Sequence, residues 1–301
     1  MDMEVFAGKI CAAVEKELGR EFQAEIREVR KNNGILLHGL LISSEGQAVV
    51  PTIYLERFLE AHESGMTFEE VVRRVLSVYE RSNPKGCADM DFFKSFGNVR
   101  DRICYRLIGR RGNEGLLEEI PYVEFLDLAI CFYYAYHGEE LGDGTILIYN
   151  SHMEMWGTCT EELLELAKRN TQKLFPWVCC SMEEVINEVM GTDGTEDGLD
   201  EGLFQQEVPM KVLSNRQRVH GAVCMVYPDV LEDIARKEGR DLYILPSSIH
   251  EVIILPYTGN EPASALKTMI EEVNTTQVDP QEVLSYSLYY YSRDTHSVMQ
   301  V

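Results

Sequence analysis

FQAEIREVR, KNNG and ILLHGLLI follow one another from Phe22 to Ile42, and their reading decides the fold class. The first stretch alternates apolar with polar residues, the second is rich in branched aliphatics, and Asn33-Gly34 between them supplies the positive φ angles of a tight hairpin. Two strands joined this way are antiparallel neighbours with no helix between them. Just upstream, Phe6, Ile10, Val14 and Leu18 recur at helical spacing before Gly19, giving a helix one apolar stripe with which to pack on a sheet.

The same alternation of short strands and capped helices continues downstream. The chain is expected to turn helical from Pro51 through Leu59, and Thr67 with Glu70 forms a capping box for a helix ending near Arg81. Residues 99–108, 121–136 and 145–149 read as strands, with Gly142-Asp143-Gly144 as a turn. Ser181 with Glu184 opens a further helix at 182–190. Beyond residue 207, strands are expected at 208–214, 219–226, 241–245, 250–255 and 288–291. Helices are expected at 229–238 and 261–273, with a short one at Asp279-Pro280. Hairpins without regular βαβ alternation make this an α+β protein, antiparallel hairpins packed with amphipathic helices in two closely associated lobes. The acidic, glycine-rich stretch GTDGTEDGLDEG, residues 191–202, is expected to be a mobile loop between lobes 1–190 and 203–301.

Charge narrows the class of function. With 50 Asp plus Glu against 28 Lys plus Arg, the net charge of -22 repels phosphate backbones and anionic membranes, so nucleic acid and membrane are excluded as expected partners. The first residues, MDMEVFAGKICAAVEKELG, lack the apolar run of a signal peptide. The most apolar stretch, Phe125 to His137, is too short to span a bilayer. The eight cysteines are scattered without the paired spacing of zinc or redox motifs, so reduced, mostly buried thiols in a cytoplasmic protein are expected.

Several stretches together resemble a bacterial family, domain-of-unknown-function family 5688. They are PTIYLE at 51, IPYVEFLDLAICFYY at 120, TILIYNSHMEMWG at 145, NRQRVHGA at 215, LPSSIHEVIILP at 245 and EVNTTQVDPQEVLS at 272. The resemblance implies that the chain behaves as one unit over nearly its whole length, and it carries no catalytic residue over to this sequence.

Candidate chemistry must therefore come from residue types. His220 in NRQRVHGA, with Ser247, Ser248, His250 and Glu251 in LPSSIHEV, supplies the hydroxyl, imidazole and carboxylate of nucleophilic catalysis. Against this, no nucleophile elbow surrounds either serine, Pro-Ser-Ser is a common turn, and the neighbours His250 and Glu251 should point to opposite faces. No short His spacing supports a metal, so no metal and no cofactor is expected. Asn215 and Arg216 could grip an anion or merely solvate a turn. Arg100, Arg102 and Arg106 would share one face of the 99–108 strand, either receiving an anionic ligand or neutralising the protein's own acids. Asp193 to Phe204 imitates part of a calcium loop but lacks its closing carboxylate. The expectation is a binding or interaction protein for another protein or a small anionic ligand. The alternatives are a small hydrolase or transferase using the Ser/His cluster, and an acidic decoy for a basic partner.

Overall fold

The computed structural model describes residues 1–19, 21–44, 50, 52–82, 90–138, 142–185, 210–259 and 262–301. Helices and antiparallel sheets make the protein α+β. The chain gathers into two compact units, residues 1–100 with 135–146, and 101–134 with 147–301.

The first unit carries a three-stranded antiparallel sheet of β1 (Phe22–Arg30), β2 (Leu36–Ser44) and β3 (Thr52–Tyr54). β1 and β2 are the expected hairpin, in register from Phe22↔Ser44 to Arg30↔Leu36, and Asn33 (φ 60°) and Gly34 (φ 71°) take the positive angles of its turn. Residues 52–54 extend the sheet instead of beginning a helix, because β-branched Thr52 and Ile53 pair along the open edge of β2; the helix starts at Glu56. The helix Met3–Leu18 buries Phe6, Ile10 and Val14 completely, in a core with Leu40, Ile42 and Val75. Each such side chain removed from water contributes roughly 1.5–3 kcal/mol. The Thr67 capping box forms, with Glu70 N–H 3.3 Å from Thr67 Oγ1 and Thr67 N–H 3.1 Å from the Glu70 carboxylate.

In the second unit β4 (Ile103–Gly109) pairs with β6 (Leu128–Gly138), which pairs with β5 (Tyr122–Phe125). β7 (Gly142–Leu147) also pairs with β6, and residues 135–146 cluster with the first unit. A six-stranded antiparallel sheet runs in the order β13 (Ser297–Gln300), β12 (Tyr289–Ser292), β10 (Leu242–Pro246), β11 (Val252–Pro256), β9 (Lys211–Asn215), β8 (Trp177–Ser181). The two compact units do not divide at 191–202. Strands β8 and β9, on either side of the acidic stretch, are hydrogen-bonded neighbours in one sheet, so both sides belong to one unit. The stretch itself and its partial calcium-loop pattern lie outside the described residues.

The helix Thr160–Leu174 lies on β4, where Thr171 Oγ1 accepts from the buried Tyr105 N–H at 3.1 Å. Asp127, in the β5–β6 turn, accepts from Ser285 Oγ (2.6 Å), Ser287 Oγ (2.8 Å) and Tyr289 OH (2.6 Å), tying that turn to the entry of β12. Two expected elements change type. Residues 221–226 form a 3-10 turn rather than a strand, because Arg218 (φ 52°) and His220 (φ 53°) break the extended backbone just before it. At Asp279-Pro280 the carboxylate caps Gln281 N–H at 3.0 Å, but the chain leaves as a turn and no helix follows. Among the described residues no helix is long and apolar enough to cross a membrane, and all seven cysteines there are free thiols.

Candidate functional site

In β4, residues 103–105 and 107–109 are buried, and the strand ICYRLIG carries one charge, Arg106, into this apolar surrounding. Arg106 shares its face of the sheet with its cross-strand partner Cys131. Its Nε is buried and has no hydrogen-bond partner among the described residues. Among the described residues no carboxylate pairs with it; its polar contact is Nη1 to His220 Nε2 at 3.5 Å. Burial pushes the guanidinium down from its ordinary value, opposed by the neighbouring Cys131, Tyr133 and Tyr149.

The chain delivers His220 to this arginine through a constrained turn. Asn215, at the end of β9, closes the loop on Val219, donating from Nδ2 to its carbonyl (2.7 Å) and accepting its N–H (3.3 Å). His220 then adopts the left-handed region, which a residue with a Cβ rarely does outside constrained turns. Gly221 follows because nothing larger fits: a Cβ there would stand 2.2 Å from Ser214 Oγ and 2.5 Å from the His250 carbonyl oxygen. The imidazole lies against the Tyr133 ring (5.8 Å) and stacks on His250, centroids 5.8 Å apart and planes 12° apart. An arginine can only donate, so His220 Nε2 accepts and the neutral ring carries its proton on Nδ1, which is buried with no partner among the described residues. Burial first, then Arg106 and His250, hold the His220 pKa down to about 3, so the ring is neutral at ordinary pH.

His250 is oriented from both ring nitrogens. Nδ1 accepts the His220 backbone N–H at 3.2 Å, and Nε2 faces Glu282 Oε1 at 3.6 Å. Its neighbour Glu251 turns away to accept from Ser248 Oγ at 2.7 Å, while Ser248 Oγ accepts the His250 N–H at 3.0 Å. Although β11 begins only at Val252, the adjacent side chains do part company as strand geometry suggests. His250, Ser247, Ser248, Glu251, Asp279 and Glu282 help to line an open cleft of about 490 Å³.

The candidates thus sort into separate groups. His220 and His250 come together, and so do Ser248 and Glu251. The Ser248 proton goes to a carboxylate, and among the described residues neither serine hydroxyl bonds an imidazole, which is the contact a serine nucleophile needs. Of the three arginines, Arg106 alone stands on β4; the helix Phe96–Val99 runs into a 3-10 turn holding Arg100 and Arg102, so the single-faced stripe does not form. Asn215 uses its amide within its own loop, and Arg216 is exposed with its N–H on the Pro176 carbonyl at 3.1 Å. No group of three His, Cys, Asp or Glu among the described residues stands where it could hold a metal ion. The pairing of Arg106 with His220, 114 residues apart, was not visible in the sequence. Its one local signal was a lone charge inside an apolar strand.

A family of unknown function, DUF5688, matches residues 3–293. The chain belongs to that family. No curated protein and no solved structure matches it. In this member of DUF5688, Arg106, His220 and His250 stand together at the site.

Proposed function

We propose that this protein binds a small anionic ligand at Arg106 and His220. The observation that carries the reading is a half-buried arginine whose sealed Nε has no hydrogen-bond partner and which no carboxylate neutralises among the described residues, in a chain with 22 more acids than bases. A buried charge left uncompensated costs several kcal/mol, and a protein so rich in carboxylates has ample means to supply a partner. A ligand that brings the missing negative charge gives the arrangement a purpose. Arg106 Nε and His220 Nδ1, both without a partner among the described residues, are donors, so what they lack is an acceptor.

The hydrolase alternative is less well supported, since it needs a hydroxyl on an imidazole and Ser248 donates to Glu251 instead. The acidic-decoy alternative draws on net charge alone. Isothermal titration calorimetry with a panel of small organic anions tests the reading. Saturable binding by the wild type that disappears in Arg106→Met is expected; binding that survives this substitution unchanged would place the ligand elsewhere and sink the proposal.

A further inference from the structure

We infer that the groove between the helices Glu56–Glu63 and Phe68–Ser82, in the first compact unit, is a binding site for a small phosphate monoester, independent of Arg106. The groove is open and holds about 610 Å³, within the usual range of small-molecule sites. Glu70, Arg73, Arg74 and Ser77 form one wall, at the i, i+3, i+4 and i+7 positions that share a helix face, and Ala61, Ser64 and Met66 belong to the other.

On a helix, exposed arginines are ordinarily neutralised by glutamates one turn before them. Glu70 stands three and four residues before Arg73 and Arg74, yet among the described residues neither arginine forms an ion pair. The reason is local. Glu70 Oε2 is held in the capping box, accepting from the Thr67 N–H at 3.1 Å and the Thr67 hydroxyl at 2.9 Å. Glu69 meets Arg73 through its backbone, its carbonyl accepting from Arg73 Nε at 3.4 Å. Arg74 makes no hydrogen bond among the described residues. On the facing wall the carbonyls of Glu60, Ala61 and His62 already accept the N–H groups of Ser64, Met66 and Gly65, so the helix end adds few free acceptors to repel an anion. The hydroxyls of Ser64 and Ser77 are unused among the described residues. Two guanidiniums and two hydroxyls suit a phosphate group, which brings three acceptor oxygens and up to two negative charges. A carboxylate, with two oxygens and one charge, would engage only one of the two guanidinium forks.

Line broadening of the phosphorus NMR signal of methyl phosphate at about pH 8, where the monoester is dianionic because its second pKa is about 6, tests the site. Broadening by the wild type that saturates with a Kd on the order of 1 mM is expected. In the double variant Arg73→Gln/Arg74→Gln the affinity should fall by about tenfold or more, while Arg106→Met should leave it unchanged. Both arginines are exposed and glutamine is a comparable helix former, so the double variant keeps the fold. Acetate at equal concentration should not displace the phosphate. No saturable broadening by the wild type, broadening undiminished in the double variant, or broadening lost only in Arg106→Met would each overturn the site; displacement by equimolar acetate would overturn its assignment to phosphate. The Arg106 reading is judged separately, by titrating small anions into the double variant with and without Arg106→Met.

Discussion

His220 folds without a proton that it would carry in mildly acidic solution when unfolded. Its pKa falls from the ordinary 6.5 to about 3 because the ring is buried beside Arg106 and His250. Between those values the unfolded chain binds a proton that the folded chain does not. Stability linked to this residue is therefore fully present above about pH 6.5 and is lost as pH falls toward 3, by up to about 1.4 kcal/mol per pH unit. His220→Gln keeps a polar, neutral side chain of similar length. Urea titrations across this range should show the wild type losing more stability with acid than the variant does. Parallel losses would mean that His220 does not stay neutral in the folded protein. Ser248 carries a lesson at the same scale. Its sequence context offered a nucleophile, yet its hydroxyl closes a turn between the His250 N–H and Glu251, because a short Pro-Ser-Ser turn satisfies its own polar groups first.

At the scale of the element, the turn from Asn215 to Gly221 sets the site, and its tightness is testable. Gly221→Ala would drive a methyl into Ser214 Oγ, the His250 carbonyl and the Asn215 backbone nitrogen, the last at 2.7 Å. Two of those three atoms are backbone and cannot swing aside, so a loss of about 2–4 kcal/mol is expected by denaturant unfolding. A loss under about 0.5 kcal/mol, the range of ordinary surface changes, would mean that the turn yields. This turn also marks where sequence reading stops. Elements with local signals were legible: the Asn33-Gly34 hairpin, the stripe of Phe6, Ile10 and Val14, the Thr67–Glu70 box, and the helix closed by Gly239 in the left-handed region. Residues 219–226 read as a strand because their apolar run has strand composition, but positive φ at Arg218 and His220 is a tertiary outcome that no local propensity records. Among the site candidates, His220, His250 and Arg106 were all named from the sequence, in two separate groups. What joined them was the packing of the 3-10 turn near β4, a long-range contact with no periodicity to betray it.

For the whole molecule, the net charge of -22 and the half-buried guanidinium of Arg106, unpaired by any carboxylate among the described residues, oppose each other. A surface that repels anions at long range makes an anion site depend on short-range donors, within a few ångströms, where burial strengthens every hydrogen bond. On the proposed anion-binding reading, the cost of holding Arg106 falls on the stability of the chain without ligand, since a desolvated cation without counter-charge disfavours folding while an apolar side chain of similar length does not. The most direct test is the thermal unfolding midpoint of Arg106→Met against wild type, in buffer free of carboxylates and phosphate. A guanidinium that awaits its counter-ion predicts a variant more stable by about 1–3 kcal/mol, a rise of a few degrees in Tm. A variant that unfolds at a lower temperature than the wild type would show that Arg106 already has its partner within the protein, and would contradict the anion site.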